Sequence, residues 1–323
     1  SVGGVAHWLR QKERGTIMGV WSTSYLIGNM LVKSLGGFLL GAQWHVSLFG
    51  YADITFGGWR WSFWGCTLIA FVIWWVIYFW QRTKPQDVGL EPIVGTLEKT
   101  GTSVDASNNE RVSFAEYLQV ALNPIVLSMG LAYFCIKFMR YSLDLWLPAF
   151  LQIQGFSAEK ASYFSQIFDI AGLAGVILAG WALDRVFRGQ WAKLCFVMGI
   201  GMVVGYVAVI QLGTTPAALA IWFGLVGFML YGPDTLLCGA ASVEVAGNNN
   251  AVAVAGVVNG LGSIGPIFQT EIIGWLVGGT EPEAIRAGMR TTNFLTLGMS
   301  VAFTVLMGIL AWHLSRRRRA LAG

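Results

Sequence analysis

The sequence predicts an all-α membrane protein, and its composition supports this in two ways. Hydrophobic residues form 55% of the 323 residues, charged residues form only 12%, and the mean hydropathy is +0.60. A soluble domain carries about twice that charged fraction. The chain also contains 15 Trp residues, and several of them flank apolar runs, including Trp59, Trp80 and Trp312. Indole rings prefer this interfacial depth.

Eight apolar stretches are long enough to cross a bilayer, since a spanning helix needs about 20 predominantly apolar residues. In chain order these predicted helices are residues 16–41, 61–80, 124–151, 162–183, 193–212, 217–243, 251–277 and 293–314.

Basic residues are distributed unequally between the two sides that these helices define. One side carries fourteen Lys and Arg residues, and the other carries four, at Arg60, Lys160, Arg286 and Arg290. Because basic loops stay in the cytoplasm, we expect both termini on the cytoplasmic side. The expected membrane is the inner membrane of a bacterium. The net charge of +4 follows from this asymmetry and does not indicate a nucleic-acid-binding surface.

The only long polar segment divides the helices into two groups. Residues 81–113 predict a mobile cytoplasmic linker, because they are rich in Thr, Ser, Asn and Gly. Residues 113–123 predict a short interfacial helix. The expected organisation is the end of one bundle in 1–80, a second bundle in 114–315, and a basic tail in 316–323.

An internal repeat suggests where these helices belong in a larger fold. A shift of 237 residues places Gly19-Val20 on Gly256-Val257 and Ile27-Gly28 on Ile264-Gly265. Both helices run from the cytoplasm outward, which resembles the parallel repeat of major facilitator transporters. We therefore expect the chain, which begins at Ser1 without Met, to hold eight of twelve transmembrane helices and to lack roughly the first four.

Three charged residues lie near the middle of the third predicted span. Lys137, Arg140 and Asp144 are one helical turn apart within the apolar run 124–151. A charge at bilayer depth costs at least a few kcal/mol unless it pairs or faces a cavity. Two cations with a single carboxylate would leave net positive charge there, which predicts an anion-binding site. The alternative is a structural ion pair between Arg140 and Asp144, which i,i+4 spacing allows.

A series of short motifs carries a family resemblance over nearly the whole chain. In chain order they are Gln11-Lys12-Glu13-Arg14-Gly15, Lys84-Pro85-Gln86, Asn123-Pro124, Arg140-Tyr141 with Asp144, Asp184-Arg185 with Arg188, and Tyr231-Gly232-Pro233. Together they resemble the organophosphate:phosphate antiporters of the major facilitator superfamily, which include glycerol-3-phosphate and hexose-phosphate transporters.

This resemblance implies two six-helix bundles around a central cavity, and exchange of a phosphorylated metabolite for inorganic phosphate by alternating access. It also implies that one arginine from helix one and one from helix seven hold the phosphoryl group. Arg140 matches the second of these, and the first has no counterpart in this chain. The expected partners are small phosphate anions and lipid, without nucleic acid, and the expected assembly is a functional monomer.

The candidate substrate-binding residues are Arg140, Lys137, Asp144, Tyr25 and Asn259. Arginine suits this role because its planar group of N–H donors matches a phosphate. Lys137 occupies a position where the family usually has a neutral aromatic residue, so cavity lining and packing both remain open for it. Tyr25 aligns with a histidine of the family, so a histidine-dependent step does not transfer to this chain.

The candidate coupling or gating residues have different origins. Asp169 matches an acidic position of the family, where it would form either a switchable or a static ion pair. The internal repeat places Lys33 and Glu271 at nearly equivalent positions in the two halves, where they could pair as an extracellular gate. Asp234, whose role the sequence leaves open, follows Gly232-Pro233, where we expect a broken helix near a cavity. The remaining coupling candidates, in the loop motif after the fourth predicted span, are Asp184, Arg185 and Arg188.

Other motifs do not indicate a cofactor, a metal or an enzyme. Gly260, Gly262 and Gly265 fit a GxGxxG pattern, but helix packing explains them better within a membrane span. The four cysteines lack metal-ligand spacing and act as small apolar residues.

Three functional classes remain open on the sequence alone. They are an organophosphate antiporter, a membrane sensor of sugar phosphate on the same fold, and a carrier of another organic anion.

Overall fold

The structure, a computed structural model, describes residues 24–48, 52–82, 85–90, 114–213, 215–279 and 281–322. The described part is nearly all helical, as predicted, and it divides into two compact units, residues 1–113 and 114–323. In its described part, the first unit contains the helices α1 (Ser24–Gly41) and α2 (Trp59–Trp80) and a short 3-10 helix, Pro85–Val88.

A short β-hairpin, which the sequence did not predict, lies between α1 and α2. Strands β1 (Gln43–Leu48) and β2 (Ala52–Gly57) pair antiparallel, with Gln43 opposite Gly57 and Leu48 opposite Ala52. The β-branched residues Val46, Ile54 and Thr55 favour strands in this stretch. Gly58 then turns the chain into α2 with a φ of 76°, a conformation that glycine adopts without strain.

The second unit is a bundle of long helices preceded by one short helix. In chain order they are α3 (Phe114–Ala121), α4 (Pro124–Ile153), α5 (Ala158–Arg185), α6 (Trp191–Leu212), α7 (Pro216–Cys238), α8 (Ala240–Val277) and α9 (Pro282–Ala322). The short helix predicted at 113–123 is confirmed as α3. Within the bundle α4 packs against α8 and α9, α5 against α7, and α6 against α7 and α9.

Five of the predicted spans coincide with described helices that are long and apolar enough to cross a membrane. They are Trp59–Trp80, Ala158–Arg185, Trp191–Leu212, Ala217–Ser242 and Glu283–Arg318. The predicted span 16–41 corresponds in its described part to the shorter apolar helix Leu26–Gly41. Helix α4 is as long as the others, but the charged residues in its middle lower its apolar character.

The helices α8 and α9 are longer than hydropathy predicts. Helix α8 has 38 residues and α9 has 41, so each is about 60 Å long at 1.5 Å per residue, twice the hydrocarbon thickness. The expected loop at 244–250 is therefore wrong, because α8 already begins at Ala240. The basic residues from Arg316 onward continue α9, and Arg318 there forms an exposed ion pair with Glu244.

Glycines allow the central helices to approach closely. A Cβ atom at Gly175 of α5 would collide with the backbone carbonyl of Phe228 in α7, and one at Gly227 of α7 would collide with the carbonyl of Phe168. Small residues at crossings let membrane helices pack backbone to backbone. This crossing fixes the depth at which polar side chains of α5 and α7 face each other.

Candidate functional site

Helix α4 places the predicted anion-binding residues deep in the second unit. The helix begins at Pro124, after Asn123 accepts a hydrogen bond from the backbone N–H of Ile125. Arg140 lies about 24 Å further along the helix axis. The Arg140 residue is 7% exposed, with Ile136, Met139 and Leu143 buried beside it. A guanidinium in such surroundings requires counter-charges.

Asp234 of α7 supplies the nearest counter-charge to Arg140. The Nη1 atom of Arg140 donates to Oδ2 of Asp234 at 2.6 Å, and both side chains are more than nine-tenths buried. Asp144, one turn along α4, lies further away, with its Oδ2 atom 3.6 Å from Nε of Arg140. The guanidinium therefore holds a carboxylate from another helix more closely than the carboxylate on its own helix.

Tyr231 connects Arg140 to a third carboxylate. The guanidinium lies 4.9 Å from the centre of the Tyr231 ring, within range of a cation–π contact. The hydroxyl of Tyr231 donates to Oδ1 of Asp169 at 2.9 Å, and Asp169 is fully buried. A Cβ atom at Gly172 would collide with the Tyr231 ring, so this glycine makes the arrangement possible.

The described residues around Arg140 include more carboxylates than the single one expected. Asp144, Asp169 and Asp234 accompany the two cations Lys137 and Arg140. If all five are ionised, the formal charge of these described residues is −1. From the sequence, Asp234 is recognisable only as an acidic residue within a predicted transmembrane helix. Its contact with Arg140 could not be predicted, because the two residues are 94 positions apart.

The expected break of α7 at Pro233 is wrong, because the helix continues through it to Cys238. Proline removes one backbone donor and tends to kink a helix. Here the hydroxyl of Thr235 donates to the carbonyl oxygens of Tyr231 and Gly232, at 3.2 and 2.9 Å. Asp234 thus projects from an intact helix, which gives its carboxylate a defined position.

Lys137 forms a second polar cluster, with α8. Its Nζ atom donates to Oδ1 of Asn259 at 2.8 Å and to Oγ of Ser263 at 2.9 Å, and lies 5.0 Å from the ring centre of Tyr133. Two sequence-predicted residues, Lys137 and Asn259, are therefore in direct contact. Ser263 was missed, although its spacing of four residues from Asn259 puts both on one face of α8.

The loop candidates lie far from this cluster. Asp184 and Arg185 end α5, about 24 Å along the helix axis from Asp169. Arg188 follows in the turn to α6, where its φ of 48° and the φ of 77° at Gly189 reverse the chain. All three side chains are exposed.

The other candidates remain predictions. Lys33 is half-buried on α1 of the first unit, and Glu271 is exposed on α8 of the second. Helix α1 also includes Tyr25, whose side chain lies outside the described part of the chain.

The described residues contain no group of three or more His, Cys, Asp or Glu side chains arranged to hold a metal ion. All four cysteines are free thiols; Cys135 and Cys195 are buried, while Cys66 and Cys238 are half-buried. The chemistry available at the site is reversible ion pairing and hydrogen bonding to an anion.

Apolar helices that are long enough to cross a bilayer and that bury ion pairs define an integral, polytopic membrane protein. Comparison of the sequence with known families identifies the superfamily. A family model described as the Major Facilitator Superfamily matches residues 2–270, and the chain belongs to this superfamily. This membership places it among transporters rather than enzymes.

Named relatives of the chain act on phosphorylated compounds. The chain is 26% identical to the glycerol-3-phosphate transporter of Bacillus subtilis, over 97% of this chain and 67% of the relative. It is 26% identical to the glycerol-3-phosphate transporter of Haemophilus influenzae, over 84% and 60% of the two chains. It is 25% identical to sugar phosphate exchanger 3 of Bos taurus, over 81% and 55%. The chain thus spans 55–67% of the length of these relatives.

A solved structure shares the fold. The inward-facing, occupied form of a bacterial homologue of the human lysosomal transporter Spinster superposes with a TM-score of 0.70 at 15% identity, covering 96% of this chain and 72% of that one. Its unoccupied form gives a TM-score of 0.65.

Proposed function

We propose that this chain forms part of a secondary antiporter that exchanges a phosphorylated organic metabolite for inorganic phosphate by alternating access. The protein would lie in a bacterial inner membrane as a functional monomer, with both termini in the cytoplasm. The relatives named as glycerol-3-phosphate transporters and as a sugar phosphate exchanger support the substrate class.

The observation that carries the proposal is the buried guanidinium of Arg140, which already holds an oxyanion. Asp234 presents one carboxylate oxygen to it at 2.6 Å, and Asp144 presents another at 3.6 Å. Phosphate oxygens have the same hydrogen-bonding character as carboxylate oxygens, and arginine binds both through its planar group of donors. A phosphoryl group can therefore replace Asp234 without any change in the chemistry of the contact.

This replacement would give the site two states with different contacts. With no substrate bound, Asp234 neutralises Arg140, so no uncompensated cation is left in the bilayer. With substrate bound, the phosphoryl group takes this place and Asp234 is released. One anion must leave before Asp234 can return, and each of these two states has a different set of contacts between α4 and α7.

Lys137 and Tyr231 assist in different ways. Lys137 is half-buried and held by Asn259 and Ser263. Since these partners are neutral, their hydrogen bonds do not neutralise an ammonium at Lys137. Tyr231 places its ring against the guanidinium and fixes Asp169 through its hydroxyl. Tyr231 thus keeps a third carboxylate bound to a donor other than Arg140.

The test is counterflow in proteoliposomes made with the protein expressed from its complete gene. Vesicles loaded with unlabelled phosphate should accumulate labelled phosphate from outside. External glycerol 3-phosphate or glucose 6-phosphate should inhibit this uptake, whereas succinate should not. The variant Arg140→Ala should abolish it.

Other outcomes would assign the alternatives. Binding of a sugar phosphate without counterflow would identify a sensor. Counterflow driven by succinate but insensitive to phosphate would identify a carrier of other organic anions.

A further inference from the structure

A second basic site lies at one end of the bundle, away from Arg140. A cavity of about 660 Å³ opens there between the last turns of α4 and α6 and the first turns of α7 and α9. Ile153 is the residue of α4 that lines this cavity, and it lies about 20 Å along the helix axis from Arg140. The cavity therefore does not belong to the proposed transport site.

One wall of this cavity is cationic. Arg286, Arg290 and Asn293 line it from a single face of α9, because they follow the i, i+4, i+7 spacing of a helix. Two like charges one turn apart repel each other, which disfavours the helix in the absence of an anion. In the part of the chain that the structure describes, neither arginine lies within 4.0 Å of a carboxylate oxygen. The guanidinium of Arg290 lies 5.9 Å from the ring centre of Phe294.

The rest of the lining is largely apolar. It includes Ile153 from α4, Val209 and Ile210 from α6, and Leu219 from α7, together with Gln154, Gly155, Gly213 and Met289. The apolar span Trp191–Leu212 ends at this level, so the cavity lies where the hydrocarbon region meets the polar headgroups. Arginine side chains at such positions extend towards the headgroups while their methylene groups stay on apolar surface.

We propose that this cavity binds an anionic phospholipid. The lipid phosphate lies between Arg286 and Arg290, which offer it charge-assisted hydrogen bonds, and the start of an acyl chain covers the apolar lining. A water-soluble phosphate metabolite shares the anionic group, but it would leave the apolar lining uncovered. The combination of a cationic and an apolar lining in one cavity therefore favours a lipid, and the proposal is independent of which substrate the protein transports.

The experiment measures lipid retention by native mass spectrometry of the protein from its complete gene, in detergent containing phosphatidylglycerol or phosphatidylcholine. The unmodified protein should retain phosphatidylglycerol in preference. Arg286→Ala/Arg290→Ala should weaken this retention about tenfold or more, by the worth of two charge-assisted bonds. Arg286→Lys/Arg290→Lys should keep most of it, because the charge remains.

Lys160→Ala is the matched control. Lys160 is an exposed cation at the same end of the bundle, in the first turn of α5, and it does not line the cavity. Its removal should leave retention unchanged, and size-exclusion chromatography verifies that each variant is folded. Equal retention by the double alanine variant, or equal loss in the Lys160 variant, would overturn the proposal. Displacement of the lipid by millimolar glycerol 3-phosphate would also overturn it, in favour of a soluble anion.

Discussion

Arg140 on α4 and Asp234 on α7 form a 2.6 Å ion pair inside the bundle, although 94 residues separate them in the chain. An isolated charge in this position would be costly, so each side chain stabilises the other. The same contact also competes with any external anion, because Arg140 cannot give its shortest hydrogen bond to two oxyanions at once. Asp234 is therefore a structural partner of Arg140 and, on the proposed function, an internal competitor of the substrate.

Asp234→Asn should raise the affinity for inorganic phosphate while it lowers thermal stability. While Asp234 occupies Arg140, only a small fraction of sites can bind phosphate. Removing this competitor raises that fraction, and the apparent affinity should rise with it by about tenfold. Loss of the buried counter-charge should destabilise the empty protein. Phosphate should therefore raise the melting temperature more in this variant than in the unmodified protein.

The control is Asp144→Asn, whose carboxylate is 3.6 Å from Arg140 and should compete less. It should weaken transport but leave measurable phosphate binding. If Asp234→Asn binds phosphate no better than the unmodified protein, Asp234 is not a competitor of the substrate.

Arg140→Lys should weaken phosphate binding even though the charge is preserved. Lysine lacks the planar group of donors and carries a more strongly hydrated head. We expect a cost of about 1.5–3 kcal/mol, the worth of a charged hydrogen bond, and a larger cost for Arg140→Ala. Isothermal titration with phosphate measures both. Exchange at the unmodified rate in Arg140→Lys would mean that Arg140 serves only as a structural partner of the carboxylates.

Tyr231→Phe should destabilise the protein without a comparable loss of phosphate affinity. The ring against Arg140 remains, but the buried carboxylate of Asp169 loses the hydroxyl that donates to it at 2.9 Å, which costs about 1–3 kcal/mol. Thermal unfolding in detergent measures this.

The same substitution at Tyr163, which is 40% exposed on α5, should have little effect. In the double variant Asp169→Asn/Tyr231→Phe, the two losses should be less than additive, because they remove one shared interaction. Additive losses would show that the two side chains do not depend on each other.

Hydropathy predicted the positions of the helices better than their ends. A run of apolar residues marks the part of a helix inside the bilayer, but it says little about where the helix stops. The polar residues 244–250 and the arginines after Arg316 continue α8 and α9 beyond that depth. The hairpin of β1 and β2 was missed because two six-residue strands between apolar helices give too short a pattern to recognise.

The site was predictable mainly where it depends on spacing along one helix. Lys137, Arg140 and Asp144 share a face of α4 because they recur at three and four residues. Asp234 and Tyr231 join them through the packing of α7 against α4 and α5. That packing depends on glycines such as Gly172, whose role emerges only when the neighbouring helix is in place.

Two glycines of α5 differ in their surroundings at and beyond the crossing with α7. A Cβ atom at Gly175 would collide with the backbone carbonyl of Phe228, whereas a Cβ atom at Gly180 would meet nothing within 4 Å. Gly175→Ala should therefore force the helices apart, at a cost of about 1–3 kcal/mol or more, because backbone atoms cannot move aside as a side chain can. Gly180→Ala should be neutral or stabilising, since alanine favours the helix by about 1 kcal/mol over glycine.

Folded yield and melting temperature in mild detergent measure both variants. Because the crossing also positions the Tyr231 ring against Arg140, the Gly175 variant that still folds should lose phosphate affinity as well. Equal melting temperatures for the two variants would mean that α5 and α7 do not cross at Gly175. The arrangement of Asp169, Tyr231 and Arg140 would then need a different explanation.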